Sequence, residues 1–91
     1  MKKANRIYIF GTVQQVFFRN FVKENADKLD VKGYVRNKED GSVEAWLEGD
    51  SEAVDAMIEV CKKGPEQSVI NRLDIVEEKL QDMTEFKIIN F

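Results

Sequence analysis

The sequence predicts an α+β fold of two layers, with two amphipathic helices lying on one face of an antiparallel sheet. Three observations predict it. Apolar residues alternate at period two over Arg6 to Val13 and in further short segments. Apolar stripes at helical spacing run from Phe18 to Leu29 and from Ala53 to Cys61. An Asp40-Gly41 pair between two alternating segments marks a tight hairpin turn. At 91 residues the chain has room for one core, so residues 1–91 are read as a single domain.

The elements follow in order. Ile7, Ile9, Gly11 and Val13 share one face of the first strand, with Tyr8, Phe10 and Thr12 on the other. A loop over residues 14–19 then hands over to a helix expected to begin at Arg19. Phe18, Phe21, Val22, Ala26 and Leu29 form its apolar stripe, and it stops near Asp30, a residue that tolerates a left-handed backbone. Lys32 to Asn37 reads as the second strand, Lys38 to Gly41 as the turn, and Ser42 to Glu48 as the third strand. Asp50 or Ser51 caps a second helix with a stripe of Ala53, Val54, Met57, Ile58 and Cys61. Acidic residues suit its first turn, Lys62-Lys63 suit its last, and Gly64-Pro65 ends it. A fourth strand covers Val69 to Glu77, and a short fifth covers Glu85 to Phe91.

This order, βαββαβ plus a short fifth strand, is that of the ferredoxin-like two-layer sandwich. Its right-handed crossover makes the first two strands parallel, so both end on the same edge of the sheet. The loop over residues 14–19 and Asn37 therefore share that edge, roughly 10 Å apart across one intervening strand. Arginine near a helix start, with backbone amides around it, suits a small anion. Asn37 adds an uncharged amide that can aim a water molecule.

Composition narrows the function. Fourteen basic and 17 acidic residues leave a net charge of −3, which gives no reason to expect a nucleic-acid partner. The apolar run Ile7 to Phe10 is too short for a membrane span or a signal-peptide core, so a cytoplasmic protein is expected. With no histidine and a single cysteine, neither an internal disulfide nor a zinc site of the usual ligands can be assembled. Cys61 sits in the helix stripe, and glutamine at position 67 rules out a Cys-x5-Arg phosphatase signature. Phe17, Phe18, Tyr34 and Trp46 are read as packing residues.

Two stretches carry a resemblance. Gly33-Tyr34-Val35-Arg36-Asn37, followed by Gly41-Ser42-Val43 and Gly49, is similar to the second motif of the acylphosphatase family at every fixed position. Ile9-Phe10-Gly11-Thr12-Val13-Gln14 with Val16-Phe17-Phe18-Arg19 resembles the first, except that the family usually has glycine where this chain has Gln15. The resemblance implies hydrolysis of small acyl phosphates to carboxylate and inorganic phosphate, with no metal and no cofactor. It also implies that Arg19 and the amides of Gln15, Val16, Phe17, Phe18 and Arg19 hold the phosphoryl group. Asn37 would orient the attacking water. If the family glycine is left-handed, a side chain at position 15 costs roughly 1–2 kcal/mol.

A monomer without nucleic-acid or membrane partners is the accompanying expectation. The alternative reading is a non-catalytic module of the same fold that binds phosphate or RNA. Lys32-Gly33-Tyr34 mimics the start of an RNA-binding strand signature, but Val35 and Arg36 then break it.

Overall fold

Seven consecutive buried residues, 43–49, mark the strand at the centre of the sheet. A strand lies on each side of it, and side chains cover both of its faces. The computed structural model describes residues 1–12, 15–66 and 68–90, with the side chains of residues 12, 15 and 16 outside that description. The elements are β1 (Lys2–Thr12), α1 (Gln15–Lys28), β2 (Lys32–Asn37), β3 (Val43–Asp50), α2 (Ser51–Lys63), β4 (Val69–Glu78) and β5 (Phe86–Ile89).

The sheet order is β4-β1-β3-β2-β5. The first four strands pair antiparallel as expected, whereas β5 docks parallel on β2, so the complete sheet is mixed. Ile7 and Ile9 of β1, Val35 of β2, and Val43, Ala45 and Leu47 of β3 are fully buried. Phe18, Val22 and Ala26 of α1, with Val54, Met57, Ile58 and Cys61 of α2, complete this core. The i, i+4, i+8 spacing on α1 and the i, i+3, i+4, i+7 spacing on α2 put each set on one helix face. Among the described residues, no helix is long and apolar enough to cross a membrane.

Gly33 shows why the second motif begins as it does. Its φ of 141° is unfavourable for a side chain, and a β-carbon there would lie 1.8 Å from the carbonyl oxygen of Trp46. Asp30 closes α1 with φ 59°, the left-handed conformation expected of it.

Three local expectations change. β1 begins at Lys2 rather than Arg6, because Ala4 and Asn5 are buried in register with β3. Asp50 holds the N-cap position of α2 but makes no side-chain cap bond, and the Ser51 amide donates to the Met1 carbonyl instead. The first helix starts at Gln15 rather than at Arg19. Phe17, read as a packing residue, is 66% exposed, so the apolar stripe starts only at Phe18 and hides the preceding residues from a periodicity argument.

Candidate active site

Three chain segments reach one edge of the sheet. β1 and β2 both run antiparallel to β3 and therefore point the same way, and β5 runs with β2. Ile9 and Asn37 both pair with Val43, so they lie level across two strand spacings. At about 4.8 Å per spacing, their backbones are roughly 10 Å apart. Beyond Ile9, β1 runs on to Thr12 and α1 begins at Gln15.

Arg19 lies in the second turn of α1, on the flank that faces β5. Its Nη1 donates to the carbonyl oxygen of Ile89 at 3.4 Å and to Oδ1 of Asn90. Ile89 is the register partner of Arg36. One residue further along these two neighbouring segments stand Asn90 and Asn37, about one strand spacing apart. The structure thus brings Arg19 and Asn37 to one place on the edge. Nε of Arg19 is shielded from solvent and has no hydrogen-bond partner among the described residues. An unsatisfied donor on a charged group is unfavourable by more than the about 1–3 kcal/mol of a neutral one.

The helix start alters the set of backbone donors. In an α-helix beginning at Gln15, the Arg19 N–H is directed at the Gln15 carbonyl. The opening amides of such a helix have no partner within the helical ladder. Arg19 therefore contributes its side chain and not its amide. Positions 13 and 14, and with them Gln14, lie outside the described residues. The Gln15 and Val16 side chains do as well, so the expected strain at Gln15 is not described.

The end of β2 is held from two sides. In the turn, Lys38 N–H donates to the Ser42 carbonyl at 2.8 Å, and Gly41 N–H to the Lys38 carbonyl at 3.1 Å. Asp40 Oδ1 accepts from the Ser42 amide at 2.9 Å and its hydroxyl at 2.6 Å, which holds the carboxyl below its ordinary value. On the face away from the helices, Glu44 accepts from the Tyr34 hydroxyl at 2.5 Å and pairs with Arg36 Nη2 at 2.9 Å. Burial pushes the Glu44 carboxyl upward, but these two bonds and the guanidinium charges outweigh it and leave it lowered. Burial, and then the bond to Glu44, push the Tyr34 phenol up to about 12.

Sequence reasoning singled out Arg19 and Asn37 but did not anticipate their neighbours at this edge, Asn90, the Ile89 carbonyl and Glu44. A signal for Glu44 was present, because a hairpin centred on Asp40-Gly41 that pairs Asn37 with Val43 must also pair Arg36 with Glu44. Asn90 carried no such signal, since it is 71 residues from Arg19.

Among the described residues no group of three or more histidine, cysteine or acidic side chains is gathered to hold a metal ion. The arrangement offers one guanidinium, helix-opening amides and an asparagine at a common edge. These groups can bind a tetrahedral oxyanion and orient a water beside it.

Comparison with known proteins points the same way. The acylphosphatase family model matches residues 5–88. An acylphosphatase of Rubrobacter xylanophilus is 43% identical over 76 residues, covering 84% of this chain and 69% of the relative. One from Thermococcus kodakarensis is 41% identical over 90 residues, covering 98% and 99%. The crystal structure of acylphosphatase from Bacillus subtilis superposes with a TM-score of 0.91 at 35% identity, covering 99% of this chain and all of that one. With both motifs on one sheet edge and the family model spanning nearly the whole fold, the chain belongs to the acylphosphatase family.

Proposed function

We propose that the chain hydrolyses the carboxyl–phosphate bond of small acyl phosphates, with Arg19 and the helix-opening amides as phosphoryl ligands and Asn37 as the group that orients water. The observation that carries this reading is the Nε of Arg19, buried and without a hydrogen-bond partner among the described residues, at the edge where Asn37 ends β2. Arginine stays charged across the usable pH range and offers a planar fork to two phosphoryl oxygens, a geometry lysine lacks.

Water attacks phosphorus as the phosphorus–oxygen bond to the acyl group breaks. The carboxylate leaves with the bonding electron pair, and the water proton passes to a phosphoryl oxygen. Carboxylate is a good leaving group and the transition state is loose, so positioning and charge stabilisation supply most of the catalysis. Asn37 cannot remove a proton at neutral pH, but its carbonyl oxygen accepts a hydrogen bond from water and so directs a lone pair at phosphorus. Neither role calls for a metal or a cofactor. Action as a cytoplasmic monomer on a diffusible substrate, with no nucleic-acid partner, belongs to the same reading.

Turnover of benzoyl phosphate tests it. Arg19→Ala is expected to lower kcat/KM by about 100- to 1000-fold, the scale for removing one preorganised donor to a developing oxyanion. Wild-type rates in both Arg19→Ala and Asn37→Ala would contradict the mechanism.

A further inference from the structure

Phe17 is 66% exposed, whereas every other aromatic ring among the described residues is wholly or partly covered. A lone apolar side chain on a protein surface is ordinary, but this one stands in the first turn of α1, two positions before Arg19. Helical residues are turned by about 100° one from the next, so Phe17 and Arg19 project to opposite flanks of α1, with the buried Phe18 between them. Arg19 takes the flank that faces β5. Phe17 takes the other, off the core and open to solvent. Long side chains on a helix lean toward its N-terminus, which carries the phenyl ring toward the end where the opening amides lie.

We infer that Phe17 receives the acyl group of the substrate and so favours apolar, above all aromatic, acyl phosphates. The inference rests on the reading of Arg19, the opening amides and Asn37 as the site of phosphoryl transfer. The attacking and leaving oxygens of such a displacement stand roughly in line across phosphorus. Val35 is fully buried beneath the helices, so Asn37, two residues on and paired with the buried Val43, belongs to the same face of β2. A water held by Asn37 therefore attacks from the sheet side, and the carboxylate departs on the side of phosphorus away from the sheet. That side is the open flank of the first helical turn, where Phe17 supplies an apolar ring and no acidic side chain is present to repel the leaving carboxylate. A benzoyl group can lie against the ring, whereas an acetyl group is too small to cover it.

Steady-state turnover of benzoyl phosphate and of acetyl phosphate by the full chain tests the proposal. The quantity read is the ratio of kcat/KM for the two substrates, in which any change at the shared phosphoryl end cancels. Phe17→Ala keeps the backbone amide and removes the ring. It is expected to lower the benzoyl-to-acetyl ratio by about 2- to 10-fold relative to the parent chain, the range for one aromatic pair. Phe17→Tyr, which keeps a ring, is expected to hold the ratio of the parent. An unchanged ratio in Phe17→Ala, an equal fall with both substrates included, would overturn the acyl contact and leave the proposed function standing. A ratio that falls as far in Phe17→Tyr as in Phe17→Ala would overturn the part assigned to the ring. Turnover of neither substrate by the parent chain would overturn the function itself, and this inference with it.

Discussion

At the scale of residues, the site depends on few side chains with separate jobs. Asn37→Ala removes the oxygen proposed to direct water while leaving Arg19 in place, so kcat is expected to fall about 100-fold with little change in phosphate inhibition. Steady-state kinetics with phosphate as the competing ligand separates the two effects. Gln15→Gly is expected to raise phosphate affinity or turnover by relieving the cost of a side chain where the family carries glycine; no gain in either would show that this position needs no such freedom. Arg19 and Asn37 were legible in the sequence because each lies inside a local motif with strict spacing. Asn90 was not, because its bond to Arg19 joins residues 71 apart through a strand whose parallel docking has no local signature. Phe17 was misread for a related reason: an apolar residue one position ahead of a buried stripe looks like part of it until the helix phase is known.

At the scale of elements, the β2–β3 hairpin carries Asn37, the residue proposed to direct water, and its turn and register were readable from Asp40-Gly41 and the alternation on either side. Its rigidity depends on the pairing of Arg36 and Tyr34 with the buried Glu44. Leu47, fully buried under both helices' layer, ties the same hairpin to the core. Leu47→Ala is expected to destabilise the fold by about 2–5 kcal/mol through the cavity it leaves, measured by urea unfolding. The start of α1 was less legible. Gln14 and Gln15 neither break nor cap a helix strongly, so only tertiary contacts decide where the first turn begins. At the outer edge, β4 exposes Val69, Ile75 and Val76. A register shift between Phe10 and Gly11 and the charges of Arg72, Asp74, Glu77 and Glu78 make that edge a poor template for another strand.

At the scale of the whole molecule, the face of the sheet away from the helices is a charged and aromatic layer that was visible in the sequence only as polar alternation. Arg6 lies over Trp46 at 5.6 Å and pairs with Glu78 at 2.8 Å, while Glu48 accepts from Trp46 Nε1 and from the amides of Gln81 and Met83, each at 3.0 Å. Burial raises the Glu48 carboxyl, but these three donors leave it lowered, as Glu44 is. A carboxylate held lower in the folded state than in the unfolded chain contributes stability in full above its ordinary value of 4.5, and that contribution is lost as pH falls through the lowered value. Stability measured by urea unfolding is therefore expected to decline below about pH 4.5, and Glu44→Gln to flatten part of that decline. The edge on which Arg19 and Asn37 meet is tested most directly as a catalytic site by benzoyl phosphate turnover in the presence of a chelator. The parent chain is expected to remain active there and Arg19→Ala, still folded, to lose about 100-fold or more of kcat/KM; full activity in Arg19→Ala, or none in the parent chain, would contradict this.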